Sequence, residues 1–210
     1  MNKNQRALII FFGQLGDFDS IEYAQALTQV LDKIVNAGIF FKIVAIGDAE
    51  GADRFCTFTG LPRHNLFVLA DNTLHRRCGL YAGLKSGFGP WIDLFLMCAG
   101  IGSPGTLKEV FRGYTGDPSA EQRIQDSIFS ILGSGDSLRP FELASVRLIN
   151  MIEVLTHWQT YVPNHQYLCQ RGATFICEGN GDLIYRHNDS GILGFSETMN
   201  HPLRFLEPYL

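Results

Sequence analysis

Short apolar runs alternate with segments of helical spacing along the first third of this chain. Ala7 to Phe12, Phe40 to Ile46 and Leu66 to Leu69 are apolar or β-branched and bounded by Gly, Pro, Asn or Asp, which predicts three strands. Between the first two, Ile21, Ala24, Leu27, Val30, Leu31 and Ile34 fall on one helical face. With Asp19 as N-cap, Glu22 three residues on and Gly38 just past the end, they predict one helix over 19–37. Ala49 to Thr59 predicts a second helix closed by Gly60, and Pro62 starts the loop to the third strand. Right-handed crossovers turn a β-α-β-α-β order into a parallel sheet whose functional edge lies at the carboxyl ends of the strands. The loop Gly13-Gln14-Leu15-Gly16-Asp17-Phe18-Asp19-Ser20 sits at that edge.

From Gly83 to Cys169 the pattern is helical or irregular, clearest at Thr106 to Tyr114 and Arg139 to Trp158. Within it Phe88, Trp91, Leu94, Phe95 and Cys98 recur at helical spacing. Such stripes mostly face cores, so this one is read as buried, with an exposed sticky face as the alternative. Beyond the helical stretch, Ala173 to Cys177 and Leu183 to His187 read as strands joined by Glu178-Gly179-Asn180-Gly181-Asp182, whose Asn-Gly is a hairpin signal. They complete the sheet in antiparallel fashion, and His201 to Leu206 begins a short closing helix. The prediction is an α/β fold in one domain over 1–210: a parallel β-α-β-α-β unit, a helical insertion over 84–169, then an antiparallel hairpin.

Composition narrows the chemistry. A 210-residue chain with 46% hydrophobic residues can bury one substantial core. A formal net charge of -4 without a Lys/Arg run leaves no electrostatic footprint for nucleic acid. The stretch from Trp91 to Ile101, interrupted by Asp93, falls short of the ~20 apolar residues of a spanning helix. The first residues, Met1 to Arg6, are too short and polar for a signal peptide.

The five cysteines, Cys56, Cys78, Cys98, Cys169 and Cys177, form no C-x-x-C pair and no disulfide framework, which suits a reducing compartment such as cytoplasm or the equivalent plastid stroma. No H-x-x-x-H or H-E-x-x-H spacing points to a metal, and no cofactor is expected. Gly100-Ile101-Gly102-Ser103-Pro104-Gly105 matches the dinucleotide fingerprint, but the run before it reads as helix. A helix–turn–helix explains it more simply, with Thr106 and Glu109 as a capping box.

Four segments carry a family resemblance: Phe55-Cys56-Thr57-Phe58-Thr59-Gly60, Asp71 to Leu80, Gln170-Arg171-Gly172-Ala173-Thr174-Phe175-Ile176, and Leu183 to Leu193. Together they resemble the peroxiredoxin-like branch of the AhpC/TSA antioxidant family in the thioredoxin superfamily. The insertion, including Arg139-Pro140-Phe141-Glu142-Leu143-Ala144, is most similar to cyanobacterial and plastid members. The resemblance implies a thioredoxin-like fold whose first loop carries a C-x-x-C or a single cysteine at the helix start. In register with Glu22-Tyr23, those positions fall on Asp17 and Ser20, and no cysteine precedes Cys56.

A helix N-terminus favours a carboxylate as it favours a thiolate, but a carboxylate cannot pass through sulfenic acid. Asp19 reads first as an ordinary cap worth ~1 kcal/mol. Ser20 as a nucleophile would need a base, for which His64 and His75, flanking the third strand, are the nearest candidates. Cys78, beside Arg77, is the alternative reactive thiol, while the other cysteines read as packing. The expected function is that of a pseudoenzyme: a redox-inactive binding, assembly or structural subunit of a larger protein complex, with a photosynthetic or thylakoid complex as partner. The alternatives are a thiol-dependent peroxidase using a cysteine such as Cys78, and a small-molecule binder using the acidic loop.

Overall fold

The computed structural model describes residues 5–115 and 139–210; the remainder of the predicted insertion lies outside them. The strands are β1 (Ala7–Gln14), β2 (Phe40–Ile46), β3 (Leu66–Leu69), β4 (Ala173–Cys177) and β5 (Leu183–Asn188). They form one sheet in the order β3-β2-β1-β4-β5. β1 pairs parallel with β2 and β2 with β3, whereas β4 runs antiparallel to both β1 and β5. The mixed sheet and its flanking helices make the thioredoxin-like fold that the sequence predicts.

Alternation along β1 sends Leu8, Ile10 and Phe12 to one face, where helices α1 (Phe18–Thr28) and α3 (Ala49–Thr59) bury them with Ile21, Tyr23, Leu27 and Phe55. The other face carries Phe11 and Ala173, covered by Leu80 and by the end of the short helix α4 (Thr73–Arg77).

The single helix expected over 19–37 is two. Thr28 Oγ1 donates to the Gln25 carbonyl at 2.7 Å, the Val30 amide bonds back to Leu27, and Val30 leaves helical geometry at φ -118°. Helix α2 (Leu31–Asn36) then restarts with Ile34 turned into the core. Its end is as expected: Gly38 adopts φ +68° and the Ile39 amide reaches the Ile34 carbonyl, so orphaned carbonyls are satisfied.

Between β3 and β4 lie α5 (Pro90–Cys98), α6 (Thr106–Thr115), α7 (Arg139–Thr156) and α8 (Trp158–Tyr161). Helix α7 lies against α1 and α3 along polar seams. Gln25 and Asn150 exchange two amide hydrogen bonds, and Arg54 grips Glu153 with two of 2.7 and 3.1 Å. Val154, Tyr161 and Val162 join the main core, so this part of the chain packs on the helical face of the sheet.

Three local expectations change. The stripe on α5 is mostly exposed: Phe88, Trp91, Phe95 and Cys98 face solvent, Leu94 packs against the core, and Asp93 and Met97 turn inward. Asp93 is drawn in because it accepts from the Ser86 amide and hydroxyl. The capping box at α6 is absent, because the Thr106 hydroxyl donates to the Ile192 carbonyl at 2.9 Å and Glu109 accepts from Arg112 at 2.8 Å. The closing helix is a 3-10 segment at Arg204–Tyr209. The Gly100 to Gly105 run follows helix α5, not a strand, and its three glycines have positive φ in turns.

Candidate functional site

β1 ends in an irregular register between Phe11 and Gln14, and the chain turns at once into α1. Asp17, not Asp19, is the N-cap: its Oδ1 accepts from the Asp19 amide at 3.4 Å. The cap moves upstream because both Asp17 and Asp19 are claimed by one cation. Arg171, almost fully buried, donates from Nη2 to Asp17 Oδ2 at 2.7 Å and from Nη1 to Asp19 Oδ2 at 3.0 Å. Its remaining donors go to the carbonyls of Cys169 and Leu168.

The arginine reaches this turn because two glycines let backbones cross closely. A Cβ at Gly13 would lie 2.3 Å from the Gln170 carbonyl oxygen, and one at Gly172 only 2.0 Å from that of Phe11. Asp189 completes the cluster. Its backbone amide donates to the Gly172 carbonyl, and His187 Nε2 stands 3.7 Å from its Oδ1.

Two buried carboxylates, Asp19 and Asp189, and the partly buried Asp17 around one guanidinium leave negative charge in excess. Burial pushes Asp19 well above the ordinary carboxylate range, Asp17 pushes it further, and Arg171 opposes. Burial likewise lifts Asp189 to about 8, against the pull of Arg171 and with the push of Asp17. Arg171 remains charged: burial opposes its cation, but Asp17, Asp19 and Asp189 outweigh that and raise its pKa. One oxygen each of Asp19 and Asp189 has no hydrogen-bond partner.

Ser20 is buried in the first turn of α1. The histidines proposed as its base are committed elsewhere. His64 is exposed in the 3-10 turn preceding β3, at the end opposite the carboxyl edge. His75 is buried, donates from Nε2 to the Phe12 carbonyl at 2.7 Å, and is pushed toward the neutral form by burial. Cys78 lies half-buried on the other face of the sheet, packed with Phe11, Leu80 and Ala173.

The thiols that do approach the turn are two others. Cys98, exposed at the end of α5, feels Asp17, Asp19 and Arg171, and Cys169 lies two residues before the arginine. Neither is poised as a nucleophile. Partial desolvation raises Cys98, the two aspartates adding to it, and burial pushes Cys169 up to about 11. Among the described residues no three His, Cys, Asp or Glu side chains are grouped to hold a metal. Sequence reasoning missed Arg171 and Asp189 as site residues, although both lie in the segments that carry the resemblance. An arginine set between Cys169 and the strand from Ala173 was the available signal.

A mixed five-stranded sheet with a helix N-terminus at the carboxyl end of its central parallel strand defines a thioredoxin-class protein. Within that class the chain belongs to the AhpC/TSA antioxidant enzyme family, whose model matches residues 26–191. The match begins inside α1, after the turn that carries Asp17 and Ser20. No curated protein and no solved structure matches the chain.

Proposed function

We propose that this AhpC/TSA-family protein is a redox-inactive member that serves as a binding or assembly subunit of a larger protein complex. The observation that carries the reading is the Asp17–Arg171–Asp19 clamp. The helix N-terminus that would stabilise a thiolate is filled by carboxylates already spent on a buried arginine. Asp17 and Ser20 are the positions assigned to the family's thiols, and residues 84–169 are an insertion within a single domain.

The insertion supplies the contact surface. Phe95 and Phe111 are 72% and 64% exposed, and Ile149, Ile152 and Leu155 line the outer side of α7. Exposed apolar area of this extent marks interaction surfaces. The partner is a protein, and a photosynthetic complex is the one that the resemblance of the insertion favours. All five cysteines are free, in keeping with a reducing compartment. No described helix is long and apolar enough to cross a membrane.

Peroxide consumption with thioredoxin or glutathione as donor tests the redox half, and the expected result is no turnover above buffer with all five thiols reduced. Turnover lost in Cys98→Ser or Cys78→Ser would replace this reading with the peroxidase one. The assembly half is tested by native electrophoresis of extracts from the source organism. The protein is expected in a high-mass band that Phe95→Asp with Phe111→Asp returns to the monomer position.

A further inference from the structure

Beside the clamp, and distinct from it, a cavity of about 450 Å³ opens between α1, α6, α7 and the segment at Ile192–Leu193. Phe18, Val110, Ala144, Leu148, Met151 and Leu193 make its apolar wall, with Cys98 at the margin. Its size falls within the usual range of small-molecule sites.

Among the described residues, the polar side chains that line it are already satisfied by the protein. Arg147 Nε donates to Glu22 Oε2 at 2.9 Å and Arg147 Nη1 to the Glu109 carbonyl at 2.9 Å. Glu109 is in turn held by Arg112 at 2.8 Å, so two carboxylates face two guanidiniums. Asn150 is paired with Gln25, Thr106 with the Ile192 carbonyl, and Ser145 has a partner of its own. Among the described residues, the buried polar atoms that lack a partner belong to Gln14, Asp19, His75 and Asp189, none of which lines this cavity.

An occupant therefore meets a balanced wall with no charge to neutralise. Water is a poor filling for an apolar void, since each buried molecule requires about two to four polar partners. A charged ligand would lose its hydration without gaining a counter-ion. We infer that this cavity binds an uncharged, hydrocarbon-like small molecule of single-chain lipid size. The volume corresponds to roughly fifteen water molecules of liquid. This inference stands apart from the assembly reading, because it concerns the cleft between the helices and not Phe95 or Phe111, neither of which lines it.

Titration of the full chain with the neutral dye N-phenyl-1-naphthylamine tests it. The expected result is saturable binding of one dye per chain, displaced by hexadecan-1-ol and at least tenfold less effectively by hexadecanoate at pH 8. Ala144→Trp, which fills the cavity, should weaken dye binding at least tenfold. In the unaltered protein, bound dye should slow alkylation of Cys98 by N-ethylmaleimide, read by peptide mass, and this check holds even if the tryptophan variant does not fold. Absence of saturable binding, equal displacement by the carboxylate, or unslowed alkylation of Cys98 would overturn the inference. So would several dyes per chain with a folded Ala144→Trp variant unaffected, since that places the dye on the exposed faces.

Discussion

Arg171 is the residue on which the turn depends. Its guanidinium is surrounded by Asp17, Asp19, Asp189 and two carbonyls, so no neutral side chain replaces it without leaving buried acids uncompensated. Arg171→Met is expected to cost about 3–5 kcal/mol in urea unfolding, the range for removing one partner of a buried ion pair. Asp189 gives a pH signature. Its folded-state pKa of about 8 lies above its ordinary value of 3.8, so between these limits the folded chain holds a proton that the unfolded chain has released. Stability from this group therefore falls as pH rises from about 4 to about 8, by at most about 1.4 kcal/mol per pH unit. The charged and titratable groups nearest it are Arg171, Asp17, Asp19 and His187. Asp189→Asn keeps the shape and removes the titration, so its stability relative to the parent should rise over that window in urea titrations at several pH values. A flat difference would mean that Asp189 is ionised in the folded protein.

At the scale of elements, the seam between α1, α6 and α7 is electrostatic where the rest of the core is apolar. Glu22 is buried on α1, and Arg147 reaches it from α7 while bridging to Glu109 of α6. Arg147→Met should destabilise by about 3–5 kcal/mol, and adding Glu22→Gln should restore part of the loss, because the orphaned charge goes with it. The outer faces of α5 and α6 behave in the opposite way. Phe95→Asp and Phe111→Asp replace side chains already in water, so each should move stability by no more than about 0.5 kcal/mol in urea unfolding.

These helices also show what local pattern resolves. Gly60 at φ +76° and Gly38 at φ +68° end their helices where the sequence placed them, because a helix end is decided by one residue's backbone. The break at Val30 was not legible, because Ile21 through Ile34 keep helical spacing on both sides of it. The stripe from Phe88 to Cys98 was legible as a stripe but not as exposed, since spacing says nothing about what lies opposite.

For the molecule as a whole, the strand order and the hairpin followed from apolar runs, Gly and Asn-Gly punctuation and the rule of right-handed crossovers. The family also followed, from segments spread over both ends of the chain. The sequence by itself further shows that no cysteine lies ahead of Cys56, so any thiol near the first turn comes from later in the chain. Tertiary structure alone decided what fills that turn. Asp19 and Arg171 are 152 residues apart, and their meeting depends on two close backbone crossings at Gly13 and Gly172. It also brought Cys98 toward the turn while setting Cys78 on the other face of the sheet, and it left a neutral cavity beside paired charges. The division has one physical cause. Periodicity and caps are set by neighbours along the chain, whereas charge pairing, burial and cavities are set by side chains that become neighbours only when the sheet and its helices close together.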